Sequence, residues 1–346
     1  MAEDILEPGL PIVDPHHHLW HWRAHSLAKR YMLDELAADA GGGHRVEATV
    51  FVECTSFYKQ DGPPELRSLG QTEAVNGVAA MSAGGVHGHF RACAGIVGHV
   101  DMQLGERAGE VLQAHVAAGG GRFRGVRNIG GYDDDPSVLP HTHAAQPGLY
   151  RREDFRQGVR QLARLGLTFD AWVLEPQLPD VIDLARSAPE VTIILDHLGT
   201  PVGTGRYQGR REERFPIWRA NMAELAQCEN VMVKVGGLGM SFPDFPSHLA
   251  EPRASSEQLA REWRPYVGTT LELFGAQRCM FASNFPGDLA CGSYTTLWNA
   301  FKRLAAGASA EEKAALFSGV AKRVYRLEAP RGAGRLERLV VPSSQA

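Results

Sequence analysis

Four imidazoles stand where short apolar runs end. Ile12-Val13 leads into Asp14-Pro15-His16-His17-His18, and Ile193-Ile194-Leu195 leads into Asp196-His197. Side chains alternate between the faces of a strand. On a regular strand Asp14, His16 and His18 therefore share one face, and His17 points the other way. Two imidazoles on one face, joined by His197, suit one divalent ion such as zinc or manganese. The spacing equally suits hydrogen-bonded histidines that hold no ion, so metal His16, His18, His197 and no cofactor are both open readings. A polar His197 directly after an apolar run is placed either for chemistry or to brace the next loop.

A third signal is Phe281-Ala282-Ser283-Asn284-Phe285-Pro286-Gly287-Asp288. Asn284 ends an apolar run, and Asp288 follows in the loop. An amide is no general base near neutral pH, whereas a carboxylate is. Asp288 is thus a candidate base, with a loop-turn or helix N-cap role as the alternative. Two of the cations within apolar runs fall near the same rim: Arg127 in Phe123-Arg124-Gly125-Val126-Arg127 and Lys234 in Val231-Met232-Val233-Lys234-Val235. Such charges are rarely buried unpaired. Each either meets a carboxylate, with Glu53 the obvious partner, or awaits an anionic substrate. A guanidinium grips a carboxylate through two parallel hydrogen bonds. Glu53 is also a second candidate base.

The elements that must position these residues read as strands alternating with helices. Runs of strand length cover Ile12–His16, Ala48–Cys54, Ala92–Val97, Phe123–Ile129, Thr168–Leu174, Thr192–Leu195, Val231–Val235 and Cys279–Ala282. Several are continuous in Val and Ile, as expected of parallel strands covered on both faces. Helical spacing marks Gly105–Ala118, Arg151–Leu165, Pro179–Ser187 and Trp218–Cys228. Eight such units predict an α/β fold of the TIM (β/α)8 barrel type, which keeps its chemistry at the C-terminal strand ends. Gly130–Tyr150, Gly199–Pro216 and Gly236–Ser256 read as long loops over that rim. One barrel is expected over residues 1–328, with a frayed tail over 329–346.

Composition narrows the function. The chain has 346 residues and a formal net charge of −4, with an isoelectric point near 6.4. A nucleic-acid binder usually exceeds about 9. Five scattered cysteines, without a CxxC pair, read as reduced thiols. No apolar stretch approaches the ~18 residues of a membrane span, and the acidic start lacks a signal-peptide core. A cytoplasmic location is expected. The expected partner is a small anionic molecule, with neither nucleic acid nor membrane, and self-association into a homo-oligomer is compatible with the sequence.

Five segments together resemble the amidohydrolase-related branch that includes pyrone-dicarboxylate and sugar-acid lactonases. They are Asp14-Pro15-His16-His17-His18-Leu19-Trp20, Leu195-Asp196-His197-Leu198-Gly199-Thr200-Pro201, Asn230–Leu238, Arg278–Pro286 and Leu316–Tyr325. The resemblance runs from about Pro11 to Leu327. It implies a metal-dependent-hydrolase-like barrel that opens a small carboxylated lactone, or a related ester or amide, by water attack. Two departures stand out. Relatives commonly carry Asp where Asn284 stands, and metal-using members carry a His after the fifth strand, where this chain reads Trp172-Val173-Leu174-Glu175. The resemblance therefore implies one ion or none. A metal-dependent decarboxylase of an aromatic acid is the alternative chemistry, and a non-catalytic binding protein the alternative class.

Overall fold

A computed structural model describes residues 3–140 and 144–327; the expected tail over 329–346 lies outside them. Eight parallel strands form one sheet in chain order: β1 Pro11–His17, β2 Arg45–Val52, β3 Arg91–Gly98, β4 Phe123–Ile129, β5 Thr168–Trp172, β6 Ile193–Leu195, β7 Val231–Gly236 and β8 Cys279–Ala282. The His18 amide donates to Phe285 O at 2.8 Å and so ties the first strand to the last. All eight coincide with the apolar runs to within a few residues. The strands are nearly continuous in buried residues, β5 being buried throughout, because helices cover the outside and the strands cover one another within.

The main covering helices are α1 Leu33–Ala40, α2 Leu69–Ala83, α3 Ala108–Ala118, α4 Glu153–Leu165, α5 Leu178–Ser187, α6 Arg211–Leu225, α7 Ser256–Phe274 and α8 Tyr294–Leu304. On α4, Phe155, Val159 and Leu162 form the buried stripe, and Gly166 ends it in the left-handed region at φ 61°. Two expected helix starts move by three residues or more. α3 begins at Ala108 because Gly105, at φ 59° and ψ −130°, breaks the preceding turn. α6 begins at Arg211 and carries Pro216 inside it, so the expected loop 199–216 ends earlier. No helix among the described residues is long and apolar enough to cross a membrane. All five cysteines are buried and free.

The barrel interior is stacked. Val13, Val50, Val97, Ile194 and Met280 form its apolar floor, closed by Val320, Ala321 and Tyr325 of the C-terminal segment. Above that floor lies a buried charged layer of Asp170, Asp196 and Lys234. Charges at this depth require partners, and these three supply them to one another.

Candidate functional site

The first strand does not stay regular. Its pairing with β2 shifts register between Asp14 and His17. Asp14 therefore does not share a face with His16, as simple alternation predicts. It packs toward α8, accepting from Ser283 Oγ at 2.6 Å and Tyr294 Oη at 3.1 Å. His17 also leaves the interior, with Nε2 2.9 Å from Thr49 Oγ1. His16 and His18 face inward with ring centroids 4.9 Å apart.

His197 reaches the same point from β6. After Leu195 the chain turns left-handed at His197 (φ 55°), Leu198 (φ 55°), Gly199 (φ 70°) and Thr200 (φ 42°). Such backbone costs of order 1–3 kcal/mol at a non-glycine residue and collects at functional sites. The turn brings the His197 ring to 4.4 Å from that of His16. Gly237, at φ +73°, backs the ring: a Cβ there would lie 2.2 Å from its Nδ1.

Asp196 completes this group. One ligand atom each from His16, Asp196 and His197 lie within 4.8 Å of one another, and all three residues are buried. His18 is not among them, so the carboxylate stands where a third imidazole was expected. His16 Nε2 and His197 Nδ1 are buried without a hydrogen-bond partner, and the Asp196 oxygens, which lack one too, face Lys234 at 3.3 Å and Arg127 at 3.8 Å as ion pairs. Burial, with the charge of Lys234 next, pushes His16 well below the usual imidazole range. Burial likewise lowers His197 to about 4. Burial alone would raise Asp196, but Lys234 and then His16 outweigh it and hold the carboxyl well below the usual range. Two neutral imidazoles and an ionised carboxylate form the donor set of an open zinc site. One ligand atom from each of the three residues suits a single ion.

Lys234 lies beneath that group. Its Nζ is 3.3 Å from Asp196 Oδ1 and pairs closely with Asp170 Oδ2; Tyr325 Oη donates to the same Asp170 oxygen at 2.9 Å. Lys234 is fully buried. Expected as a substrate contact or a structural ion pair, it occupies the structural position. Arg127 reaches the cleft but is engaged: Nε donates to Glu53 Oε1 at 3.0 Å, and Nη1 lies 3.8 Å from Asp196 Oδ2. Glu53 Oε2 accepts weakly from the Thr55 amide at 3.3 Å.

At the mouth, His18 Nδ1 donates to Val52 O at 2.9 Å, which turns Nε2 toward Asn284 Oδ1 at 3.2 Å. Asn284 Nδ2 donates to Asp288 Oδ1 at 2.7 Å, and the Gly239 amide to Oδ2 at 3.0 Å. Burial pushes Asp288 up to about 7 against these two hydrogen bonds. Asp288 is fully buried behind Asn284. The expected direct contact of Asp288 with a water in the cleft is thus replaced by contact through an amide. His18, Arg127, His197 and Asn284 line a cavity of about 500 Å³ at the strand ends, within the usual size for small-molecule sites.

Sequence reasoning missed Asp196 and Asp170 as site residues. The signal was present for both. Asp196 directly precedes His197 at a strand end, and Asp170 interrupts an apolar run as Lys234 does.

The y4mH protein of Sinorhizobium fredii, described as uncharacterized, is 32% identical over 337 residues, spanning 92% of this chain and 99% of that protein. An L-fucono-1,5-lactonase of Burkholderia multivorans is 28% identical over 334 residues, spanning 92% and 97%. The crystal structure of a Burkholderia multivorans amidohydrolase with bound zinc superposes at a TM-score of 0.69, with 26% identity over 92% of this chain and 99% of that one. The family model described as amidohydrolase matches residues 13–327, nearly the whole barrel, and the chain belongs to the amidohydrolase family.

Proposed function

We propose that this protein hydrolyses the acyl–oxygen bond of a small carboxylated lactone or a related ester. The observation that carries the reading is the convergence of His18, His197 and Asn284 on one cavity beside the His16–Asp196–His197 group. The lactonase relative supports it.

The residues divide the work as follows. The substrate carbonyl lies between His18 and His197. His18, fixed by its hydrogen bond to Val52 O, presents the Nε2 lone pair and takes a proton from the attacking water, against burial and then the charge of Arg127, which hold it well below the usual imidazole range. The protonated Nε2 then donates to Asn284 Oδ1, whose Nδ2 donates to Asp288. The carboxylate thereby stabilises the imidazolium through the amide, and the imidazolium gives its proton to the leaving alkoxide as the acyl–oxygen bond breaks. General-base assistance contributes about 10²–10⁴-fold. His16, Asp196 and His197 would hold a divalent ion, and zinc or manganese there would polarise the carbonyl and stabilise the developing oxyanion. Arg127 borders the cleft as one half of an ion pair, holding the strand ends around the substrate.

The test is a panel of carboxylated lactones, esters and aromatic acids, followed by proton release and product analysis. Ring-opened acid with uptake of water is the expected result. Carbon dioxide from the aromatic acids, with the lactones untouched, would replace hydrolysis by decarboxylation.

A further inference from the structure

The cleft has a second lobe. It is about 850 Å³ in volume and shares His18, Arg127 and Ile129 with the first. The two lobes differ in which groups border them, and both mix polar with apolar side chains. The first is walled by Ile129, Val138, Leu139, Trp172, Met240 and Phe242. Trp172 and Phe242 meet edge to face with centroids 5.6 Å apart. At the start of the loop that carries Val138 and Leu139, Arg206 Nη2 and Tyr207 Oη donate to Asp133 at 2.9 and 3.1 Å.

The second lobe is bordered by the segments after β1 and β2, with His21, Arg23, His25 and Ser56 beside the apolar rings of Trp22 and Phe57. Arg23 is the notable group. Its guanidinium lies 4.4 Å from the centroid of the Trp20 ring, and Nη2 donates to Cys54 O. Among the described residues no carboxylate lies within ion-pair distance of it, whereas Arg127 has both Glu53 and Asp196. A guanidinium offers five N–H donors. Stacking on Trp20 orients it and leaves donors for an anion.

We infer that the substrate is amphiphilic: a compact carboxylate binds Arg23 in the outer lobe, an apolar arm fills the Trp172–Phe242 lobe, and the acyl bond lies between them over His18. This deepens the proposed hydrolysis and rests on it for the reaction, though not for the binding pattern. A polyhydroxylated lactone would leave hydroxyls unpaired against the apolar walls, at a desolvation cost. An alkyl or aryl arm would gain from every buried methylene.

The experiment is calorimetric titration of the full chain with butanoate, hexanoate, octanoate, octanamide and gluconate. Each methylene is expected to tighten carboxylate binding about fourfold. Arg23→Met should weaken octanoate by about tenfold or more and leave octanamide unchanged, while Arg23→Lys recovers part of the loss. Phe242→Ser should flatten the chain-length dependence. Gluconate binding as tightly as octanoate, or octanoate indifferent to Arg23→Met, overturns the inference. The expected binding pattern without turnover of any lactone or ester would remove the proposed reaction and leave this inference standing. Turnover of polyhydroxylated lactones with KM unchanged in Arg23→Met and Phe242→Ser would do the reverse.

Discussion

Asn284 joins His18 to Asp288: its Oδ1 lies 3.2 Å from His18 Nε2, and its Nδ2 donates to Asp288 Oδ1 at 2.7 Å. The amide thus stands between an imidazole at the cleft and a carboxyl group that does not reach it. Asp288→Asn is expected to lower kcat on the order of 10²-fold, the low end for a lost base contribution. Burial holds Asp288 near 7, so it ionises as pH rises through that value. kcat/KM should rise over the same interval in the native enzyme, and the variant should lose that limb. Asn284→Asp should not raise activity, because it sets a second carboxylate against Asp288. Steady-state pH profiles of the three proteins check this, and full activity in Asp288→Asn would redirect attention to Glu53.

The Arg127–Glu53 contact is buried. Removing one partner leaves an uncompensated charge, which typically costs about 3–5 kcal/mol. Arg127→Met should therefore lower the denaturation midpoint, and its effect on KM should be similar for acidic substrates and their neutral amides. Urea titration and paired kinetics separate this from a substrate clamp, for which the acid alone would suffer.

Gly237 presses on His197, with only 2.2 Å available to a Cβ. Gly237→Ala must displace the ring or the backbone of β7's end, and the positive φ adds strain. Activity is expected to fall by on the order of 10²-fold, the scale of misplacing a reacting group by about 1 Å. Far-UV circular dichroism should stay near native. Unchanged kinetics would show that His197 need not sit where the structure holds it.

The His16–Asp196–His197 group should bind at most one ion tightly. Elemental analysis of the purified protein, with zinc or manganese supplied, is the measurement. Asp196→Asn should weaken zinc binding by about tenfold or more, since loss of even an outer partner of a ligand costs ~10–100-fold. Two equivalents per chain would mean that further ligands exist.

His115 gives a pH prediction away from the cleft. It is buried between Ser68 and Thr72, and burial lowers it to about 4. The unfolded chain takes up a proton near its ordinary value of ~6.5, while the folded chain does not. Stability from this source is complete above that value and is lost as pH falls toward 4, by on the order of 2–3 kcal/mol. His115→Gln should flatten that part of the slope in urea titrations between pH 4.5 and 7.5. An unchanged slope would assign the acid sensitivity to other groups.

The sequence by itself determined the barrel and its active rim. Apolar runs of strand length separated by helical spacing leave few alternatives to a parallel sheet covered by helices, and residues such as His197 and Asn284 that follow such runs must emerge at its C-terminal end. Those are local facts, carried by neighbours in the chain. Tertiary structure decided the partners. The Arg127–Glu53 pair, 74 residues apart, was legible as two charges near strand ends, whereas Lys234 meets Asp170 from 64 residues away and not Glu53, and no spacing rule links those two. The register shift in β1 turned Asp14 away from the histidines, which alternation along one strand could not reveal. The packing of the loop after β8 put Asp288 behind Asn284 instead of in the cleft. Pairing of buried charges is set by which strands lie side by side in space, so the chemistry present was legible in the residues, and its division among them was settled only by the fold.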